Sequence, residues 1–185
     1  MNEVLKAIAN RRSVRKYKSE QIKDEELNLI IEAGLQAPSG HNDQPWFFTV
    51  IQNKELIKEI NEKSKEGLKN SGIDWMVKMG SNPEFDLFYG APTVIAVAVR
   101  KDAVTPLADE GAAIQNILIA AESLGIGSCW IGLTTPYFGA KENIEKLGIP
   151  EGYEPHYTVT LGYKAEGLNL SAPKRKNPDC VKFIK

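Results

Sequence analysis

The sequence predicts an α+β domain in which helices cover a central sheet. Three observations predict it. Short runs of β-branched, aromatic and apolar residues alternate with longer stretches of helical periodicity. One run, PTVIAVAV at 92–99, is continuously apolar and suits a strand buried on both faces. One helical stretch, 106 to about 124, has only Gln115 and Asn116 as polar residues between Ala112 and Ala121. A helix apolar nearly all round is buried nearly all round, so this one is central or packs on a second subunit. The 185 residues fit a single domain spanning 1–185, and 42% hydrophobic with 25% charged residues allows a real core.

The elements follow in order. Residues 3–10 read as a short helix with Asn2 as its cap. A basic stretch, RRSVRKYKSE, comes next. Asp24 is placed to cap a helix over 24–36, with Leu27, Ile30, Ile31 and Leu35 on one face. Pro38 and Gly40 in APSG end it. WFFTVIQ at 46–52 reads as a strand, and Asn53 caps a charged helix over 54–67. Residues 68–90 are irregular, a loop or short-helix excursion carrying Trp75, Met76, Met79, Phe85, Phe88 and Tyr89. After the strand at 92–99, Thr105-Pro106 starts the apolar helix. SCWIGL at 128–133 is a strand, Thr135-Pro136 opens a helix to about 147, and HYTVTLGY at 156–163 is a strand. The tail ends in VKFIK, whose alternation suits one more short strand, supplied to the edge of a partner's sheet.

Charge and cysteine usage exclude several classes. A net charge of -1 gives no general attraction to nucleic acid or to an anionic membrane. Cys129 and Cys180 are 51 residues apart, and no CxxC or Cys/His spacing accompanies His41 or His156, so no metal site is expected. A reducing cytoplasm is the expected setting. The opening MNEVLKAIANRR has no apolar core before its arginines, so no secretory leader is expected, and no apolar run reaches bilayer length.

Four clusters are candidates for chemistry. Arg11, Arg12, Ser13 and Arg15 place three guanidiniums and a hydroxyl within five residues, a donor set suited to a phosphate. APSGHNDQPW at 37–46 carries Ser39, Asn42 and Gln44, able to hydrogen-bond a polar heterocycle, with Pro38 and Gly40 shaping the backbone for a planar ring. GIGSCWIG at 125–132 can present backbone N–H groups, yet lacks the spacing of a Rossmann dinucleotide turn. Lys174, Arg175 and Lys176 form a basic run in the tail. Taken singly, each cluster also reads as ordinary surface or turn. No serine-hydrolase elbow, P-loop, zinc-protease motif or Cys/His nucleophile pair is present, and Cys129 reads as a core thiol.

In this order the clusters resemble the nitroreductase family of flavoproteins. RRSVRKY, APSGHNDQPWFF, GAPTVIAVAV, DEGAAIQNILIAAESLGIGSCWIG and the stretch from HYTVTLGY to KRK carry the resemblance over nearly the whole chain, least clearly across 54–85. It implies the family's fold, with a mixed sheet flanked by helices in an intertwined homodimer whose C-terminal tail is exchanged. It also implies tightly bound FMN at the subunit interface. Arg11, Arg12, Ser13 and Arg15 would meet the phosphate, ribityl chain and pyrimidine edge. Pro38, Ser39 and Gly40 would come from the other subunit, with Asn42 and Gln44 close by. Ile131 and Gly132 would bring backbone near flavin N5, and Lys174 and Arg175 would return to the phosphate.

The implied reaction passes hydride from NAD(P)H through flavin N5 to a small organic acceptor, such as a nitroaromatic or quinone, in a ping-pong cycle. The flavin carries the chemistry, so no catalytic side chain is required. Dehalogenation, flavin fragmentation, azoline oxidation and a non-catalytic flavin-binding role stand as alternatives.

Overall fold

The computed structural model describes residues 1–172 and 180–185. Six helices, α1 (Glu3–Asn10), α2 (Asp24–Leu35), α3 (Lys54–Lys69), α4 (Asp74–Ser81), α5 (Pro106–Ser123) and α6 (Lys141–Lys146), surround one sheet. Its strands are β1 (Trp46–Ile51), β2 (Thr93–Arg100), β3 (Ile126–Ile131) and β4 (Tyr153–Tyr163), in the spatial order β1-β2-β4-β3. All three ladders are antiparallel, where the resemblance implies a mixed sheet. Among the described residues the one parallel pairing is an isolated bridge between Ser13 and Ser128.

β2 explains how the layers assemble. Its side chains alternate faces, as a pleated strand requires. Ile95 and Val97 join Ile30, Ile114, Ile117, Val159 and Leu161 under α2 and α5. Val94, Ala96 and Ala98 join Ile60, Leu68, Phe88, Tyr137 and Phe138 on the other face, under α3. A strand with two cores has no polar face, which is why its sequence is apolar without interruption.

Several helix starts rest on local chemistry visible in the sequence. The Asn2 and Asn53 side chains accept from the backbone of Leu5 and Leu56, both at 2.9 Å. The second helix differs from expectation. Lys23 is its cap, and the Glu26 carboxylate reaches back to accept from Lys23 N at 3.1 Å. The helix expected over 136–147 is broken into a 3-10 turn, Tyr137–Gly139, and α6. Ala140 lies between them in extended backbone, and buried Asn143 donates to the Tyr137 carbonyl at 2.8 Å. The expected VKFIK strand is absent: residues 181–185 pair with no strand of their own chain among the described residues. Val181, Phe183 and Ile184 are 65, 78 and 93% exposed.

The irregular stretch contains α4, which the sequence analysis leaves undivided. Gly80 lets it lie directly on α3. A Cβ at this position would sit 2.6 Å from the Lys65 carbonyl oxygen and 2.9 Å from Lys69 N, both backbone atoms that have no rotamer to yield. Gly80→Ala is expected to destabilise the fold by about 1–3 kcal/mol. Urea unfolding that leaves the midpoint unchanged would show that the two helices part at no cost.

Candidate functional site

The arginine segment is held against the sheet by its alternate residues. Val14 N donates to the Ser128 carbonyl at 2.9 Å, and Val14 is fully buried. Tyr17 donates its hydroxyl to the Val14 carbonyl at 2.8 Å and shares a hydrogen bond with the Thr160 hydroxyl at 2.7 Å. Gly127 makes the close approach possible, since a Cβ there would lie 2.9 Å from Val14 Cγ1. With Val14 and Tyr17 inward, Arg15 and Lys16 project outward.

Arg11, Arg12, Ser13 and Arg15 line one cleft of about 370 Å³, with Ile8 on one side and Asn169, Leu170 and Ser171 on the other. Their roles separate. The Arg12 guanidinium donates to the carbonyls of Ala9 and Arg11 at 2.8 and 2.7 Å, and to those of Leu170 and Ser171 at 3.1 and 3.3 Å. It builds the cleft wall. Among the described residues, carboxylates pair with Arg100 but with none of Arg11, Arg12 and Arg15. Three neighbouring cations without a counter-charge repel one another, so the cleft favours an anion. Cys129 lies beneath. Burial pushes its thiol pKa up, against opposing pulls from Arg15, the Ser13 hydroxyl and Arg11, so it stays protonated and unreactive.

The second cluster forms its own rigid loop. Ser39 Oγ accepts from Gln44 N at 2.9 Å, and Gln44 Nε2 donates to Asn42 Oδ1 at 3.0 Å. Asp109 of α5 fastens the loop, accepting from Gly40 N at 3.0 Å and from the Thr105 hydroxyl at 2.9 Å. His41, Asn42 and Gln44 all take positive φ, at 53, 59 and 46°. Such conformations persist only where surrounding contacts over-determine them. The loop leaves Pro38, Asn42 and Gln44 exposed on the surface.

These clusters do not converge in one chain. None of Pro38, Ser39, Gly40, Asn42, Gln44, Ile131 and Gly132 lines the arginine cleft. Ile131 is buried in β3, and Gly132 follows it at the surface, its carbonyl accepting from the Thr135 hydroxyl at 2.9 Å. Lys174 and Arg175, with Lys176, lie outside the described residues.

The model of the nitroreductase family matches residues 8–163, which span both clusters and the whole sheet. The chain belongs to the nitroreductase family. The solved nitroreductase of Bacteroides fragilis with bound FMN is similar over 100% of both chains, at 36% identity and a TM-score of 0.92. A nitroreductase of Desulfitobacterium hafniense with bound FMN also matches over 100% of both chains, at 36% identity and a TM-score of 0.89. An FMN reductase [NAD(P)H] of Bacillus subtilis is 30% identical over 191 aligned positions, covering 96% of this chain and 71% of that protein.

Within the nitroreductase frame, the contacts the sequence analysis misses are those made across long separations. Asp109 and Thr105 hold a loop more than sixty residues away. Asn169–Ser171 wall the cleft from the far end of the chain. Both pairings depend on the fold, and no local pattern announces them. Among the described residues no helix is long and apolar enough to cross a membrane, and no group of three metal-ligating side chains gathers.

Proposed function

We propose that this nitroreductase is an FMN-dependent oxidoreductase that carries hydride from NAD(P)H to a small organic acceptor, such as a nitroaromatic or a quinone, as a homodimer in a reducing cytoplasm. The observation that carries this reading is the cluster of uncompensated guanidiniums, Arg11 and Arg15 beside the Ser13 hydroxyl, facing one cleft. A phosphomonoester has a charge of about -1.5 to -2 at neutral pH, which such a set matches in sign and donor geometry. FMN, when bound, supplies the acceptance and donation of hydride.

The chain's own residues would do the rest. Arg11 and Ser13 hold the phosphate end, with Lys174 and Arg175 returning to it. Arg15 serves the pyrimidine edge, where a positive charge favours the reduced ring. Arg12 supports these groups from the wall of the cleft. The rigid Pro38–Gln44 loop offers Ser39, Asn42 and Gln44 to the cofactor of a second copy, and Ile131 and Gly132 bring backbone to the ring. Cys129 stays a protonated thiol and takes no part.

The surface supports the dimer. Val4, Leu5 and Ile8 of α1, Leu35 at the end of α2, Val104 just before α5 and Leu107 in its first turn are all exposed by about two fifths or more of their area. Burial of these side chains against a second copy would remove apolar surface from water. β1 has a strand on one side only among the described residues, an edge that a partner's tail would fill.

The test is an absorption spectrum of the purified protein, followed by NADH or NADPH without oxygen. Oxidised-flavin bands that bleach on addition, and parallel double-reciprocal plots with a quinone, are the expected results. A protein that stays colourless after incubation with FMN would overturn the reading.

A further inference from the structure

Arg15 is exposed, and no carboxylate or hydrogen-bond partner holds it among the described residues. A long side chain left so free loses rotamer entropy whenever it must point at a ligand. Beside it lies Tyr89, whose ring centroid is 5.9 Å from the guanidinium carbon. Guanidiniums stack on aromatic faces at this distance.

The Tyr89 ring is itself firmly placed. It meets Phe85 edge-on, with centroids 6.3 Å apart. It packs against the cluster of Val14, Tyr17 and Ala91, which also contacts Leu168 and Leu170. Val14 belongs to the arginine segment and Leu170 to the cleft wall, so the ring packs on the apolar cluster that links both sides of the cleft.

The backbone is strained to put it there. Tyr89 has φ 56°, followed by Gly90 at 73°. A left-handed tyrosine is disfavoured where asparagine or glycine would sit with little strain. Asp86 holds the turn: its carboxylate accepts from Phe88 N at 2.9 Å and Gly90 N at 2.7 Å, and its carbonyl accepts from Tyr89 N at 3.2 Å. Leu87 and Phe88, both fully buried, anchor it to the core. A residue kept in a conformation unsuited to it, by this much scaffolding, is there for what its side chain touches.

We propose that Tyr89 is the positioning residue for Arg15, directing its guanidinium over the cleft and thereby setting the affinity and reduction potential of the flavin. The inference rests on the FMN reading above. It assigns the Phe85–Gly90 turn a part in the cofactor site that the arginine motif alone does not disclose.

The experiment compares wild type with Tyr89→Phe and Tyr89→Leu. It reads the FMN dissociation constant by fluorescence quenching on apoprotein, the midpoint potential of the bound flavin, and the melting temperature of the apoprotein. Tyr89→Phe keeps the ring face and is expected to stay within about twofold of wild type in affinity. Tyr89→Leu is expected to bind FMN about tenfold more weakly and to shift the midpoint potential negative, with apoprotein melting close to wild type. Tyr89→Leu with unchanged affinity and potential would overturn the proposal. So would Tyr89→Phe failing as badly as Tyr89→Leu, since the hydroxyl would then be what matters. Wild type that binds no FMN would instead sink the underlying cofactor reading, and that control is read first.

Discussion

Replacing Arg11 and Arg15 together with alanine is expected to weaken FMN binding about a thousandfold, with the apoprotein fold intact. Each guanidinium offers a charge-assisted hydrogen bond of about 1.5–3 kcal/mol to an anion, and the two act on one ligand. Neither has a carboxylate partner among the described residues, so their removal strands no buried charge. Relief of their mutual repulsion should, if anything, raise the melting temperature of the apoprotein. Arg12→Ala is expected to behave differently. It frees the carbonyls of Leu170 and Ser171, loosening the cleft wall rather than removing a ligand for the phosphate. Fluorescence titration of the apoproteins separates the cases. A double variant weakened less than tenfold would place the phosphate elsewhere.

The second large effect concerns Glu110, which is wholly buried on α5 with no well-formed hydrogen bond to its carboxyl oxygens among the described residues. Burial raises its pKa from 4.5 to about 8; a weaker pull from the His156 backbone opposes the shift, and the charge of Glu154 adds to it. His156 Nδ1 lies 3.1 Å from its Oε2. The raised value means that the folded state keeps a proton the unfolded chain gives up. Stability is therefore full below about pH 4.5 and is lost as pH rises through about 8. Over that window the fall is about 5 kcal/mol, or roughly 10–20 °C in melting temperature for a domain of this size. Glu110→Gln cannot ionise and should flatten the profile between pH 5 and 9, melting well above wild type at the alkaline end. Parallel profiles for the two proteins would show that Glu110 does not titrate in this range.

The Glu110–His156 contact also shows where sequence reading stops. β4 pairs with β2 as Tyr157 to Val97, then Pro155 to Ala98, which leaves His156 as an extra residue in a bulge. A bulge re-aims a side chain, and no alternation in HYTVTLGY reveals it. Beyond the bulge the ladder continues through Glu154 and Tyr153, opposite Val99 and Arg100, so β4 begins earlier than the apolar pattern suggests. By contrast, Asn2, Asn53 and the uninterrupted apolar run of β2 were legible, because caps and pleat are local. Among site residues, Arg11, Arg12, Ser13 and Arg15 were legible as one group and do share a cleft. Their division of labour was not, because Arg12 spends its donors on carbonyls 158 and 159 positions away. Tyr89 was visible only as one more aromatic in an irregular stretch, since its significance lies in a positive φ and a guanidinium from the far end of the chain.

Arg12 has one further consequence. Its guanidinium bonds to Leu170 and Ser171, and these residues are at once the wall of the cleft and part of the C-terminal segment that follows β4. A ligand gripping the cleft and a surface gripping the tail therefore bear on the same short segment. By thermodynamic reciprocity, whatever one does to the affinity of the other is returned by the same factor. Under the proposed FMN-binding homodimer with an exchanged tail, assembly would then report on the supply of the ligand, with scarcity read as dissociation and abundance as association.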